Sequence, residues 1–434
     1  MKILKFGGTS VGSAVNMKSV AAIVLNEGAK VTVLSAMSQT TDTLVRIVEA
    51  SKNGRDISLD IKIIKDKYYC CIDNLLVDNI SSAKEAVDRV IGIITNEFEN
   101  FVPHTSEGLI LSQGELLTTA IFTMYLKETG KAAELIDITK MMRLDENGKV
   151  DERHLKTTMT AYIKQYSDDT IFVTQGFICV DNNGVTTNLG RGGSDYSAAL
   201  IGAAISASEV QIWTDIDGMH NNDPRYVEGT YPIRHLSFDQ AAELAYFGAK
   251  ILHPATAQPC KAANIPVHLK NTMDPKSVGT IISNEDNQSS TYQAVAAKDG
   301  ITLIRICSTR MLMAYGFLRK VFEIFEEYKT PIDMITTSEV AVSLTIDNDV
   351  NLEPIVQKLE ELGSIEIEKN NSIVCVVGIL DHSHSGVVES ILFGLKNVPI
   401  KMISYGASDR SIAMLVSSDS KIKALRALNE KLFV

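Results

Sequence analysis

The chain has 434 residues, which is long enough for two or three domains that each bury a core. Apolar residues make up 45% of the sequence and charged residues 22%, as in an ordinary globular protein, and the formal net charge of -11 argues against a nucleic-acid-binding protein because phosphate backbones require a basic surface. No apolar run has the length of a membrane span, and no apolar segment follows Lys2 and Lys5 as in a signal peptide, so we expect a cytoplasmic protein without a membrane partner.

Strands and helices alternate through the first half of the chain. A strand over 1–6, a glycine-rich turn, a helix over 11–25 and a strand over 30–36 form a βαβ unit. The alternation continues in helices over 41–51 and 114–129 and in strands over 133–138, 171–180, 184–187 and 210–214, with a hairpin turn at Asn183-Gly184. This order predicts an α/β fold with a mostly parallel sheet sandwiched by helices, in which ligands bind at the carboxyl ends of the strands.

The cysteines show neither a CxxC pair nor a metal-ligand spacing with histidine. We therefore expect reduced thiols and no metal site at the six positions, which are Cys70, Cys71, Cys179, Cys260, Cys307 and Cys375. Because the chain is acidic, any anionic ligand must be met by local cations.

Two glycine-rich turns are candidates for anion binding. In Gly190-Arg191-Gly192-Gly193-Ser194-Asp195 the backbone can approach a ligand closely, and Ser194 or Asp195 could cap the helix that follows. In Lys5-Phe6-Gly7-Gly8 a lysine ends the first strand beside a second turn, without the spacing of a P-loop. A flexible surface turn and a lysine at a strand edge would explain each feature alone. Together they favour one phosphate-binding site.

Further cations lie downstream. Arg225 follows the strand-end residues Thr214 and Asp215, and Lys250 lies in Gly248-Ala249-Lys250-Ile251. Turn chemistry explains Asp-Gly and Asp-Pro in this region but not Arg225. Lys5, Arg225 and Lys250 together are the cations that a nucleoside triphosphate requires.

The C-terminal part contains an internal repeat. It begins after a polar segment at 283–290, and residues 331–336 match residues 399–404 at an offset of 68. Each copy follows a predicted helix, at 317–328 and at 387–395, which is typical of two ferredoxin-like modules. We expect a catalytic domain over 1–283, a linker over 284–299 that could add a strand to the second module, and modules over 300–368 and 369–434.

Five motifs stand in the order that marks aspartate kinases of the amino-acid kinase family. The chain resembles this family over nearly its whole length, and its C-terminal repeat resembles the paired ACT domains of these enzymes. Gly316-Phe317-Leu318 and Ser338-Glu339 resemble the monofunctional lysine-sensitive type. The five motifs are Lys5-Phe6-Gly7-Gly8-Thr9-Ser10-Val11, Ser112-Gln113-Gly114-Glu115, Leu189-Gly190-Arg191-Gly192-Gly193-Ser194-Asp195, Trp213-Thr214-Asp215 and Gly248-Ala249-Lys250-Ile251-Leu252-His253-Pro254.

The resemblance implies transfer of the γ-phosphoryl group of ATP, with Mg²⁺, to the β-carboxylate of L-aspartate. The product would be 4-phospho-L-aspartate, the first step towards lysine, threonine and methionine. Since a carboxylate is already an ionised nucleophile, no strong general base is required. The implied residues are Lys5 and Asp195 for catalysis, Lys5, Phe6, Gly7, Gly8, Thr214, Asp215, His220, Arg225, Lys250 and Ile251 for ATP, and Thr41, Glu115, Arg191, Gly192, Gly193 and Ser194 for aspartate.

In this reading the amides of Gly7 and Gly8 would face the transferring phosphoryl group, and Asp195 would orient Lys5 or the metal-bound phosphates. Glu115 would accept from the ammonium group of aspartate, although a helix-terminal carboxylate would also explain that residue. His220 stands where relatives commonly carry a tyrosine near the adenine. No dedicated metal cage is apparent.

The two repeat copies differ in charge at matching positions. Asp333 in the first copy corresponds to Lys401 in the second, so an effector with an ammonium group would prefer the first copy. The resemblance implies feedback inhibition by L-lysine and a homodimer through the ACT modules, or a dimer of dimers. Ala314 and Met313 replace the serine and histidine of lysine-binding relatives, which keeps threonine, alone or with lysine, as an alternative effector. The implied effector residues are Met311, Ala314, Phe317, Leu318, Pro331, Ile332, Asp333, Ser338 and Glu339.

Two rival functions share part of these features. A different amino-acid kinase, such as an acetylglutamate or glutamate kinase, would begin with the same Lys-Gly-Gly pattern but would generally lack the paired repeat. A catalytically silent amino-acid sensor would keep the repeat but has no need of Lys5 and Asp195. A solvated turn charge would likewise explain Asp333 without any effector.

Overall fold

The structure is a computed structural model that describes residues 1–248, 254–285, 290–308, 311, 315–380 and 385–434. Some of the residues named above lie outside the described residues, namely Ala249, Lys250, Ile251, Leu252 and His253 of the fifth motif, and Met313 and Ala314. The chain folds into two compact units that are each formed from several segments. The first contains 1–219, 234–238 and 252–286, and the second contains 220–233, 239–251 and 287–434. The domain boundaries given above stay a prediction.

The described elements follow one another in an α/β order in the first 285 residues and in an α+β order after that. The elements before the polar segment are β1 (Lys2–Phe6), α1 (Ala14–Glu27), β2 (Ala29–Leu34), α2 (Thr40–Asn53), α3 (Ser58–Leu75), α4 (Ile80–Glu99), α5 (Pro103–Glu128), β3 (Ala133–Ile136), α6 (Glu152–Ile163), β4 (Ile171–Gln175), β5 (Ile178–Val180), β6 (Thr186–Asn188), α7 (Gly193–Ala204), β7 (Glu209–Thr214), β8 (His235–Ser237), α8 (Phe238–Tyr246), α9 (Pro254–Ala262), β9 (Val267–Asn271) and β10 (Thr280–Ser283). Those after it are β11 (Tyr292–Cys307), α10 (Phe317–Glu327), β12 (Ile335–Thr337), β13 (Ala341–Ile346), α11 (Leu352–Glu360), β14 (Ser364–Gly378), α12 (Val387–Gly394), β15 (Met402–Ser404), β16 (Ser411–Ser417) and α13 (Lys421–Phe433).

The first unit is built around an eight-stranded sheet in the order β3-β4-β2-β1-β7-β9-β10-β8. The first six strands in this order, β3, β4, β2, β1, β7 and β9, pair in parallel, and β10 pairs antiparallel with β9. The central strand β1 is buried from Ile3 to Phe6 because its apolar residues contact helices on both faces of the sheet. The predicted βαβ start is confirmed, with α1 capped by the Ser13 hydroxyl at its start and by Gly28, in the left-handed region, at its end.

Helix α5 begins eleven residues earlier than the sequence pattern predicts, at Pro103. It is also long and apolar enough to cross a membrane, which the sequence analysis did not find in any segment, but 72% of its most apolar window is buried inside the protein. Gly108 permits this packing, since a Cβ atom there would lie 2.0 Å from the carbonyl oxygen of Thr186 on β6. Helix α5 is therefore a core helix of the first unit.

The predicted strand over 171–180 is interrupted. It divides into β4 and β5 at Gly176 and Phe177, and Phe177 has a φ of 69°. The break lets the chain pass close to α7, because a Cβ atom on Gly176 would lie 2.6 Å from the Cβ atom of Ser194. The predicted hairpin then forms between β5 and β6.

The second unit contains a six-stranded antiparallel sheet in the order β12-β13-β11-β14-β16-β15. The repeat copies occupy equivalent places in it: the Asp333 amide donates to the Thr345 carbonyl at 2.9 Å and the Lys401 amide to the Leu415 carbonyl at 2.8 Å. One apolar core lies under α10 and α11 and another under α12 and α13. Residues 292–298 at the start of β11 pair with 373–378 of β14 in the second copy.

Candidate active site

The carboxyl ends of four adjacent parallel strands form the candidate site. These are β4, β2, β1 and β7, which neighbour one another in that order in the sheet. Gly176, Ser35, Gly7 and Asp215 directly follow them. The strand order therefore brings the two glycine-rich turns of the sequence to one edge of the sheet.

Lys5 and Asp195 form an ion pair at this edge. The Lys5 Nζ lies 2.6 Å from the Asp195 Oδ1, with only 11% and 14% of the two side chains exposed. The contact is charge to charge, since its angles are not those of a hydrogen bond. Lys5 comes from β1 and Asp195 from the first turn of α7, so the sheet and the helix fix the pair from opposite sides.

The prediction that Ser194 or Asp195 caps α7 is wrong. The cap is Gly192, which has a φ of 72° and no side chain, and both predicted residues lie inside the first turn. The Ser194 hydroxyl instead accepts a hydrogen bond of 3.0 Å from the Ser35 hydroxyl, next to β2. Asp195 still benefits from its place near the positive end of the helix dipole.

The glycines after Lys5 have different roles. The Gly7 amide donates to the Trp213 carbonyl at 3.2 Å, so the expectation that it faces a phosphoryl group does not hold in this structure. At Gly8 a Cβ atom would lie 2.8 Å from the Ala36 carbonyl oxygen, which only glycine avoids. Gly8 thus allows the turn after β1 to touch the loop after β2, and its amide remains the candidate for an anionic ligand.

Glu115 is a buried acid on α5 with only 3% of its surface exposed. Its Oε2 atom has no hydrogen-bond partner among the residues that the structure describes. Burial raises the pKa of Glu115 to about 7, against the opposing effect of hydrogen bonds from the amides of Ala36 and of Glu115 itself. A buried carboxylate with a vacant acceptor is suited to a cationic ligand group.

The loop after β2 is tied to α5 by groups that the sequence analysis did not single out. The Met37 amide of the loop donates to the Thr118 hydroxyl on α5 at 3.1 Å. Beside it, the buried Tyr68 hydroxyl on α3 donates to the Gly114 carbonyl on α5 at 3.1 Å. Ser35 at the start of the loop contacts Ser194. The position of this loop could have indicated its role, because the loop follows β2, which is adjacent in the sheet to the strand that carries Lys5.

The other residues predicted for aspartate lie on the same elements. Thr41 is the second residue of α2 and half-buried, while Arg191 is exposed in the turn before α7. Gly193 is buried, and a Cβ atom there would lie 2.9 Å from the Phe177 ring. The structure thus places Arg191, Gly192, Gly193 and Ser194 at the start of α7. Thr41 lies at the start of α2, and Glu115 on α5 accepts from the Ala36 amide in the loop before α2.

The residues predicted for ATP fall in different parts of the structure. Phe6 is fully buried and stacks on Trp213 with ring centroids 5.8 Å apart, so only its backbone remains for ligand contact. Thr214 ends β7 and Asp215 follows it, and the Thr214 hydroxyl donates to Asp215 Oδ1 at 3.1 Å. His220 and Arg225 belong to the second unit. There His220 Nδ1 lies 3.2 Å from the Thr230 hydroxyl.

Arg225 has a local structural partner. Its Nε and Nη2 atoms donate to both carboxylate oxygens of Asp223 over 2.7–3.2 Å, and 75% of its side chain is exposed. The sequence analysis left this arginine without a structural reason, and the fork on Asp223 supplies one.

Comparisons with known proteins show which family the chain resembles. Residues 1–271 match the family described as amino acid kinase family, and residues 374–432 match the ACT domain. Lysine-sensitive aspartokinase 3 of Escherichia coli (strain K12) is 33% identical over 446 residues, which cover 99% of both chains. The chain belongs to the aspartokinases of the amino acid kinase family. The resemblance to aspartate kinases and the predicted fold class are confirmed.

Two solved structures of E. coli aspartokinase III are similar to this aspartokinase chain over its whole length. One is a complex with aspartate and ADP in the R-state, with a TM-score of 0.86, 32% identity and 100% of both chains covered. The other is a complex with lysine and aspartate in the T-state, with a TM-score of 0.85, 32% identity and the same coverage.

The predicted effector residues of this aspartokinase lie in the first repeat copy. Phe317 is a core residue with 8% exposed, and Met311 and Ile332 pack against the same core. Leu318, Pro331, Ser338 and Glu339 are exposed. Asp333 is not a solvated turn charge, because only 1% of its side chain is exposed.

Two further expectations can be compared with this aspartokinase structure. All six cysteines are free thiols. In the described part of the chain no three His, Cys, Asp or Glu side chains are grouped so that they could hold a metal ion.

Proposed function

We propose that this aspartokinase transfers the γ-phosphoryl group of ATP to the β-carboxylate of L-aspartate and releases 4-phospho-L-aspartate. The observation that carries the proposal is the buried Glu115 carboxylate, whose Oε2 atom lacks a partner in the described residues. An amino-acid ammonium group would satisfy that oxygen and its charge. N-acetylglutamate has no ammonium group, so the same site would leave Glu115 unpaired.

Lys5 supplies the positive charge of the reaction. As phosphoryl transfer proceeds, charge develops on the phosphoryl oxygens, and a fixed ammonium group stabilises it without solvent reorganisation. Asp195, 2.6 Å away, holds the lysine in place at the end of β1. The acceptor carboxylate needs no base, so positioning and charge neutralisation account for the catalytic work.

Aspartate is held on the acceptor side. Glu115 accepts from its ammonium group, Arg191 holds a carboxylate as a fork, and Thr41 and Ser194 donate hydrogen bonds. The Ser35–Ser194 hydrogen bond and the close packing of Gly176 against Ser194 keep this turn against β2 and β4. Gly192 and Gly193 allow the backbone to come near the substrate.

ATP lies on the donor side of the site, with contacts from Gly8, the Phe6 backbone, Thr214 and Asp215. His220, Arg225, Lys250 and Ile251 stay sequence-based predictions for nucleotide binding. The complex of E. coli aspartokinase III with aspartate and ADP supports ATP as the donor. Mg²⁺ is proposed as the ion that accompanies the nucleotide phosphates. Since the described residues contain no metal-binding group of three, no step is assigned to a protein-held ion.

Regulation and assembly complete the proposal. We assign 1–283 to catalysis, 284–299 to a linker and strand, and 300–368 and 369–434 to two ACT modules that bind an end-product amino acid and pair in a homodimer, or further in a dimer of dimers. The lysine complex of E. coli aspartokinase III supports L-lysine as the inhibitor, with L-threonine as the alternative. The enzyme would act in the cytoplasm at the first step towards lysine, threonine and methionine.

A coupled assay of ADP release tests the reaction with L-aspartate, L-glutamate and N-acetyl-L-glutamate. We expect turnover on L-aspartate, and Lys5→Met should lower kcat/KM by about 10³-fold or more. Its melting temperature should fall as well, because Asp195 loses its buried cationic partner, so the rates are compared at a temperature at which both proteins are folded. Lys2→Met is the matched control on the same strand, because Lys2 pairs with Glu27 at the opposite end of β1 and should leave kcat unchanged. Turnover restricted to a different acceptor, or near-normal turnover of Lys5→Met, would contradict the proposal.

A further inference from the structure

The carboxylate of Asp333 is already engaged inside the second unit. Its Oδ1 atom accepts from the Tyr246 hydroxyl at 2.7 Å and from the Lys298 ammonium at 2.7 Å. Its Oδ2 atom is buried and has no hydrogen-bond partner in the part of the chain that the structure describes. Thus an internal ammonium group occupies one oxygen of this carboxylate, while the other remains available.

Lys298 has other favourable contacts besides Asp333. Its Nζ also lies 2.8 Å from Asp347 Oδ2 and 4.3 Å from the centre of the Tyr246 ring. Burial lowers the pKa of Lys298, but the hydrogen bonds to Asp333 and Asp347 outweigh it and raise that pKa overall, so the side chain is a cation. Asp347 is 37% exposed, and Lys298 can therefore leave Asp333 without losing every partner.

The matching position of the second repeat copy carries the opposite charge. Lys401, which corresponds to Asp333, is paired with Glu368 of β14 and donates to Asn371 Oδ1 at 2.6 Å. In that copy the residue at this position is itself the cation, so the ammonium group of a ligand would meet a like charge. At this position the first copy has a carboxylate whose cationic partner can be exchanged, and the second copy has a lysine instead.

We propose that Lys298 is a resident counter-ion that an effector ammonium group displaces from Asp333, and that Tyr246 transmits this exchange to helix α8. The inference rests on the proposed function, because it names the residues by which an amino-acid effector would act. Displaced from Asp333, Lys298 stays on Asp347. The resident cation reduces the fraction of Asp333 that is free for a ligand and so sets the effector concentration needed for inhibition.

Tyr246 gives the exchange a route along the chain. It is the last residue of α8, and α8 follows directly on β8, a strand of the eight-stranded sheet. Its hydroxyl and its ring contact the two members of the exchange, the Asp333 carboxylate and the Lys298 ammonium. Exchange of the cation at Asp333 therefore changes the contacts of Tyr246, the last residue of α8.

The test uses the full-length enzyme, with L-lysine and L-threonine as probes. Kinase rate and ligand binding by calorimetry are both followed against probe concentration for wild type, Lys298→Met, Lys298→Arg, Tyr246→Phe and the matched control Lys401→Met. We expect Lys298→Met to lower the half-inhibitory concentration about ten-fold with unchanged uninhibited kcat, since the competing cation is gone. Lys298→Arg and Lys401→Met should stay within about three-fold of wild type.

For Tyr246→Phe we expect binding within about three-fold of wild type but a clearly smaller maximal inhibition, because the link to α8 is lost. An equal or higher half-inhibitory concentration in Lys298→Met overturns the inference. If Lys298→Met does not fold, the inference is tested by Tyr246→Phe alone. Maximal inhibition of Tyr246→Phe as complete as that of the wild type then overturns the inference. A wild type that phosphorylates L-aspartate but neither binds nor responds to the two amino acids overturns this inference and the effector proposal, and leaves the kinase proposal standing.

Discussion

The pKa of Glu115 gives a quantitative prediction for aspartate binding. Burial raises this pKa to about 7 from an ordinary value of 4.5, while only the ionised form can accept from the substrate ammonium group. About a tenth of the groups are ionised at pH 6 and about nine-tenths at pH 8. We therefore expect the KM for L-aspartate to be about ten-fold higher at pH 6 than at pH 8.

The assay measures initial rates at saturating ATP between pH 6 and pH 8, where free aspartate keeps both carboxylates ionised and its ammonium group protonated. Glu115→Gln should raise the KM at pH 8 by about 10- to 100-fold and remove its pH dependence, because a hydrogen bond to a charged group is lost. Glu107→Gln is the control on the same helix, since Glu107 is exposed and pairs with Lys52. A wild-type KM that does not change over this range would refute the reasoning.

The same shift predicts a change in stability. A carboxyl group whose pKa is higher in the folded than in the unfolded protein binds more protons when folded, so it weakens the fold as pH rises from about 4.5 to about 7. The full difference corresponds to about 3 kcal/mol. Thermal unfolding of Glu115→Gln should thus improve relative to wild type at pH 8 and match it near pH 4. The opposite order at pH 8 would show that Glu115 is held ionised by a partner.

Two further predictions concern packing and capping. Gly8→Ala should abolish activity and lower the melting temperature, because its Cβ atom would lie 2.8 Å from the Ala36 carbonyl oxygen. The control Gly92→Ala, whose Cβ atom would lie in open space on α4, should stabilise the protein by about 0.5–1 kcal/mol, and similar melting curves for the two variants would contradict the prediction. Glu128→Ala should lower the free energy of unfolding by about 1 kcal/mol at pH 7, because the Glu128 carboxylate accepts from the amides of Val77, Asp78 and Asn79. The loss should vanish in acid, where the carboxylate is protonated, and the exposed control Glu85→Ala should show no such pH-dependent loss. Denaturant titrations measure both.

Local patterns predicted the elements that local chemistry determines. The strand, turn and helix at the start of the chain follow from an apolar run, a glycine pair and apolar residues at helical spacing, and all three occur in the structure. The Arg225–Asp223 pair also lies within two residues, and sequence reasoning could have found it. The start of α5 was missed because its first turns depend on Gly108 packing against the distant Thr186.

The site chemistry depends more strongly on distant contacts. The cap of α7 was misassigned because that turn is shaped by Gly176 and Phe177, which contact it across the sheet edge. Burial of Glu115 follows from packing, and no local pattern indicates a pKa near 7. Asp333 was singled out for its charge, but its partners Lys298 and Tyr246 lie 35 and 87 residues away.

The long strand β11 makes the two repeat copies interlocked rather than merely adjacent. Its first half pairs with β14 in the second copy, and its second half pairs with β13 in the first. Loss of either copy would therefore leave strands of the other copy without their hydrogen-bonding partners. The two copies can diverge in charge, as Asp333 and Lys401 have done, but neither can be discarded alone.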